Sequence, residues 1–244
     1  MKTQIHALIV CLLLVLNASE AAAQWGNKKV EGNGNVTTKT RNTQEYDAIK
    51  VVGSMAVHLE SGSEGTISVT TDDNLHEFII VEITEENTLV IRTEKSVSLR
   101  TKKGIRVTVP FQDISLIELV GSGDIKTKDP IRSTALELAV IGSGDVILDV
   151  DTENLDAKVT GSGDMVLAGR TTNLELKLSG SGDFKGMDLE ALNTEAFVSG
   201  SGDAKVTANN SLKARVNGSG DIRYSGNPSK SDTKVSGSGS IKSM

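Results

Sequence analysis

Apolar and polar residues alternate with a period of two in short segments through the second half of the chain. Leu155, Ala157 and Val159 alternate with Asp156, Lys158 and Thr160. Leu174, Leu176 and Leu178 do so with Glu175, Lys177 and Ser179, and Leu212, Ala214 and Val216 with Lys213, Arg215 and Asn217. Successive side chains of a strand point to opposite faces, so the alternation predicts strands with one buried face. A second short strand is predicted at residues 146–150, 165–168 and 222–224, and polar turns at 152–154 and 171–173 close the unit. After residue 23, no stretch keeps a 3.6-residue period long enough for a helix.

Between the two strands of each unit lies a fixed tetrapeptide. GSGD occurs at 121–124, 142–145, 161–164, 180–183, 200–203 and 218–221, and GSGS at 237–240, with successive starts 18 to 21 residues apart. A unit of about 19 residues with two short strands cannot bury its apolar face alone. Stacked on copies of itself it can, so the predicted fold class is all-β: a β-solenoid of such coils behind an N-terminal β-rich cap. Carrying the alternation through the tetrapeptide puts both glycines inward and Ser and Asp outward. Glycine there is expected to let the chain bend where two walls converge.

Residues 46–120 are also strand-rich. Val52, Gly53 and Ser54, followed by alternating Met55, Val57 and Leu59, look like a degenerate unit, and Pro110 marks an edge or a strand end. The expected divisions are a signal peptide at 1–23, a flexible leader at 24–45, a capping section at 46–120 and the repeats at 121–244. The signal peptide follows from Lys2, the apolar run at 5–16, and the small residues Ala21, Ala22 and Ala23. That run is too short to cross a bilayer core of roughly 30 Å as a helix, so no membrane span is expected after cleavage. The expected location is the periplasm, the outer membrane surface or the exterior.

The single cysteine, Cys11, leaves with that segment, so packing and backbone hydrogen bonds must hold the mature chain. A net charge of −6 argues against nucleic acid and against an anionic membrane surface as partners. The partner expected is an envelope or extracellular protein or glycan, with oligomerisation left open.

Six outward aspartates repeat in register: Asp124, Asp145, Asp164, Asp183, Asp203 and Asp221. Stacked at about 4.8 Å, like charges repel by roughly 0.9 kcal/mol per neighbour in water. Capping of turn amides, or hydrogen bonds from Ser122, Ser143 and their equivalents, would offset this. Ca²⁺ held between successive carboxylates is the alternative. Catalytic signals are weak: His58 is expected on a polar strand face and His76 in an exposed turn, and neither lies in a nucleophile or metal motif. No catalytic residue and no cofactor is expected. Aromatics are 3% of the chain, too few for a ring-lined sugar site, and Phe197 alone points outward within the repeats. These features favour a non-enzymatic interaction or structural module. A polysaccharide-acting β-helix lyase or hydrolase is the alternative.

From Tyr46 to Lys242 the chain resembles the auto-transporter adhesin, head GIN domain family. The resemblance rests on Tyr46, Asp47, Ala48 and Ile49 with Val52, Gly53 and Ser54, on Asn87, Thr88, Leu89, Val90 and Ile91, and above all on the serial GSGD ending in GSGS, Ile241 and Lys242. It implies an exported, right-handed β-helix-like fold and an adhesin label, and it brings no catalytic residues. With nothing after Met244, the chain is expected to lack a membrane-anchoring barrel of its own.

Overall fold

The computed structural model describes residues 28–244; the targeting segment, Cys11 and Trp25 lie outside the described residues. Strands Ile131–Gly142, Asp145–Gly161, Met165–Gly180 and Phe184–Gly200 each run through most of a coil and pair in parallel with the next. The result is a β-solenoid of about 7 turns. The predicted turns are corners rather than loops, because pairing continues through them as Thr152 with Thr171 and Asn154 with Asn173. Each corner is set locally. The buried hydroxyls of Thr152 and Thr171 donate to the carbonyls of Asn154 (2.9 Å) and Asn173 (3.1 Å), two residues ahead.

The core is built from columns of side chains that stack in register along facing walls of the coils. On one wall Leu176 lies between Ala157 and Ala196 at the same register, all three fully buried. Large against small lets successive layers fill without voids. On the other wall Ile125, Val146, Met165, Phe184, Ala204 and Ile222 stack in register. One coil carries an extra residue, and a bulge absorbs it where pairing skips between Val166 and Ala168.

Glycine occupies the GSGD corner for a different reason from the one its parity suggests. The first glycine has positive φ, 124° at both Gly161 and Gly180, which L side chains rarely adopt. A Cβ on the second, as at Gly182, would point along the stack into the carbonyl oxygen of Gly163 in the coil below. The missing side chain therefore lets coils approach each other, not walls converge. That approach brings two amides of each coil onto one carbonyl of the previous one. Ser181 N–H (2.8 Å) and Gly182 N–H (3.1 Å) both donate to Gly161 O, and the pattern recurs from Gly53 to Gly218.

At the N-terminal end, stacking order departs from chain order. The first coil, Ala48–Gly53 with Ala56–Ser61, is the degenerate unit seen in the sequence. One side of it pairs with Leu116–Gly121 and Asp124–Thr127, the other with Thr88–Thr93 and Arg106–Phe111. The chain thus lays a coil beneath the first before returning above it. Antiparallel strands Val36–Asn42, Thr66–Asp72 and Ile79–Ile83 join at that end. Pro110 sits where its strand has only one partner, so its missing N–H costs no ladder bond.

The described part of the expected leader is ordered. Lys28–Glu31 pairs in parallel with Val97–Arg100, and Val36–Asn42 is antiparallel to Thr66–Asp72. The buried carboxylate of Asp72 ties down the link between them by accepting from Gly34 N–H (2.6 Å) and Thr101 Oγ1 (2.6 Å). These strands show mostly exposed side chains, so they carry no apolar alternation to betray them.

Two pairs of substitutions test this packing. Leu176→Ala should open a cavity and cost about 2–5 kcal/mol, against under about 0.5 kcal/mol for Lys177→Ala beside it. Gly182→Ala should cost at least about 2 kcal/mol and Ser181→Ala under about 0.5 kcal/mol. Denaturant unfolding of the four variants measures all of these, and equal costs within either pair would contradict the assigned faces.

Candidate functional site

The six aspartates stand in one column, and five of them cap the corner above. Oδ1 of Asp145 accepts from Asp164 N–H (3.0 Å), Asp164 from Asp183 (2.9 Å), Asp183 from Asp203 (3.0 Å) and Asp203 from Asp221 (2.8 Å). Asp221 ends the series by accepting both the amide (2.8 Å) and the hydroxyl (2.9 Å) of Ser240. Asp124 lies outside it, since Asp145 N–H goes instead to Gly123 O (3.1 Å). Capping therefore runs between coils, not within one turn, and the tetrapeptide serines donate only at this last step. Cations beside the column offset its charge: Lys185 Nζ lies 2.6 Å from Asp164 and Arg223 lies 3.8 Å from Asp221. Among the described residues no group of three or more His, Cys, Asp or Glu is placed to hold a metal ion.

These contacts shift titration. Partial burial works to raise the Asp164 pKa, but hydrogen bonds from Lys185 and from the Asp183 amide outweigh it and hold the carboxyl below its ordinary range. The Ser240 hydroxyl, then its amide, does the same for Asp221.

His58 lies half-buried on the outward column opposite Lys126. His76 is not in an exposed turn. It belongs to a 3-10 helix, Asp73–Phe78, is 2% exposed, and its Nε2 lies 3.1 Å from Thr37 Oγ1. The strand Val36–Asn42 that covers it is the one the sequence hid. Phe197 points outward with Lys213 Nζ 5.4 Å from its ring. No two of these residues converge on a catalytic site.

What the repeats do build is a groove along the stack. Asn154, Asn173 and Asn193 form one ridge, and Asp156, Glu175 and Glu195 form the other, two residues further along each strand. Leu155 and Leu174, 2% exposed each, lie at its floor. The groove encloses about 700 Å³ and runs from Ser115 to Lys230. Its amide ridge is bonded head to tail. Asn173 Nδ2 donates to Asn154 Oδ1 (2.9 Å), Asn193 to Asn173 (3.0 Å) and Asn210 to Asn193 (2.8 Å). The acidic ridge is paired to cations: Lys158 with Glu137 (2.8 Å) and Asp156 (3.4 Å), Lys177 with Glu175 (2.5 Å) and Lys213 with Glu195 (2.8 Å). The hydrogen bond from Lys177 is the main reason that the Glu175 pKa is lowered. A general acid needs the opposite shift. A second groove of about 430 Å³ carries the bidentate pair of Arg170 with Asp151 (2.8 and 2.7 Å).

Asp164 and Asp221 yield a pH prediction. Their folded pKa values lie below the unfolded carboxylate value of about 3.9, so they contribute stability that is fully present above about pH 5 and lost as pH falls through 4 and below. Acid titration of the fold should show that direction. At pH 7, Asp164→Asn keeps an acceptor for the Asp183 amide and should cost less than about 1 kcal/mol. Asp164→Ala leaves that amide unpaired and should cost about 1–3 kcal/mol. Equal costs would mean that the amide does not depend on the carboxyl.

With this geometry established, comparison with known proteins is informative. The family model described as "Putative auto-transporter adhesin, head GIN domain" matches residues 45–228. Three solved structures resemble the chain. A "putative adhesin" from Bacteroides fragilis has a TM-score of 0.83 at 24% identity, covering 88% of this chain and 100% of that one. A "putative lipid binding protein" from Parabacteroides distasonis gives 0.75 at 27%, covering 89% and 100%. A "putative adhesin" from Parabacteroides merdae gives 0.73 at 23%, covering 89% and 99%. The first and third likenesses concern the fold alone. No curated protein matches the sequence. The serial GSGD corners, the in-register stack they build and the family match over residues 45–228 lead to one assignment: this chain belongs to the auto-transporter adhesin, head GIN domain family.

Proposed function

We propose that the protein is an exported, non-enzymatic, adhesin-like interaction module of the cell envelope or exterior. It shows a rigid, repeating surface to an envelope or extracellular partner. One observation carries this most directly: the groove's carboxylates are tied to lysines on the surface, Asp156 alone keeping a buried oxygen, Oδ1, without a hydrogen-bond partner. Catalysis needs one acid and one base whose environments differ. Here each coil repeats its neighbour, which suits recognition of something long and repetitive. Export is supported by Lys2, the apolar run at 5–16 and Ala21, Ala22 and Ala23. Among the described residues no helix is long and apolar enough to cross a membrane.

The test has two arms. Exported protein should begin at or near Gln24 by N-terminal mass spectrometry, and an intact Met1 would contradict export. The immobilised mature protein should retain labelled envelope or extracellular material reversibly, releasing no shortened products from acidic polysaccharides. Steady formation of unsaturated or reducing ends would show the enzyme alternative to be right.

A further inference from the structure

We infer that the groove between the asparagine and acidic ridges binds a linear, uncharged polysaccharide, with one sugar residue lying over each coil. The inference rests on the recognition role proposed above and names the site and ligand class for it.

The dimensions come from backbone geometry. The ridges are two residues apart on each strand, so they stand about 7 Å from each other, and equivalent positions recur about 4.8 Å along the stack, with Ala135 and Ser211 replacing asparagine at the ends and Lys213 following Glu195 on the other ridge. That width admits one pyranose ring, and an extended sugar chain advances by nearly the same step per residue. From Ala135 to Lys230 the groove crosses six coils in register.

The chemistry suits hydroxyl groups. Asn173 uses one N–H and one lone pair on its neighbours, Asn154 one lone pair only, and Asn193 one N–H and both lone pairs, since it also accepts from the Ser211 hydroxyl (2.8 Å). At least one N–H therefore remains for a ligand on each of the three amides, with a lone pair beside it on Asn154 and Asn173. Opposite them stand carboxylate oxygens, which accept. A sugar hydroxyl is both donor and acceptor and can bridge the two ridges.

Charge points to a neutral chain. The acids of one ridge are matched by Lys158, Lys177 and Lys213, so the groove offers little net field to a polyanion or a polycation. No aromatic platform is present, so affinity must accumulate from weak contacts repeated along the chain. Length dependence follows as a signature.

The experiment places the mature protein on an array of linear neutral glucans, xylans and mannans, with acidic polysaccharides and phosphatidylcholine vesicles alongside. Titration then uses oligosaccharides of two to eight residues from the retained polymer. Affinity should rise by several-fold per added residue up to about six and then level off. Asn173→Ala with Asn193→Ala should weaken binding at least tenfold, and Lys185→Ala, outside the groove, should not change it. Ala135→Trp lies outside the amide ladder, so it tests the groove even if the double variant unfolds. It should block one end and bring the plateau down by one residue. Retention of no neutral glycan, or retention indifferent to Ala135→Trp, overturns the site while a protein that still captures envelope material keeps the broader role. Loss of all capture defeats both, and vesicle binding blocked by Ala135→Trp would give the groove to lipid instead.

Discussion

From Gly53 onward, each coil meets the next at one shared carbonyl. The first glycine of each tetrapeptide offers its oxygen to two amides of the coil above, those of the following serine and glycine. That shared acceptor requires the coils to approach closely at the corner. The approach is available only because a Cβ is missing at both glycines, which would otherwise meet carbonyl oxygens of the coil below, and the turn itself only because the first tolerates positive φ. The aspartate then closes the corner by accepting one more amide from the coil above. Three of the four residues of GSGD are thus fixed by backbone hydrogen bonding, which explains why the motif survives while strand residues vary around it.

In-register stacking has a consequence for the surface. Any outward residue type repeated at one position becomes a column at about 4.8 Å spacing, so charge, amide and hydroxyl groups are amplified along the axis. Columns of like charge are tolerated here because neighbouring columns carry the opposite sign. The acidic ridge lies beside Lys158 and Lys177, and the aspartate column beside Lys185 and Arg223. Exposed pairs contribute at most about 1 kcal/mol each. Their role is to remove repulsion from a fold that would otherwise accumulate it. The same amplification turns an ordinary turn asparagine into a bonded ridge with a groove beside it.

Much of this was legible in the chain. Alternation at 155–160 and 174–179 identified the walls, and the GSGD spacing gave the coil. The pairing of Leu176 between Ala157 and Ala196 follows from counting along the repeat. The outward place of the aspartates was also visible, but not the inter-coil direction of their bonds, since the same residue can cap its own turn. His76 was misjudged because the strand that buries it, Val36–Asn42, shows mostly exposed side chains and no periodic signal. The asparagine ridge does leave a signal, since Asn154, Asn173 and Asn193 recur at the repeat interval. Turn-forming chemistry is sufficient to explain each one singly, so the sequence alone does not single out the column. The insertion of a coil beneath the first is not written in local sequence at all, because strand pairing across that distance depends on which partner fits best.

The dependence of the stack on its corner carbonyls is tested most directly by amide hydrogen exchange resolved at single residues. The serine and second-glycine amides of the tetrapeptides, Ser162, Gly163, Ser181 and Gly182, should be protected as strongly as strand amides such as that of Leu176. In a Gly182→Ala variant, protection should fall first at the corners adjoining Gly182 and only later at the N-terminal end, because coils touch only their neighbours. Corner amides that exchange at the rate of exposed turns in the unaltered protein would contradict the account.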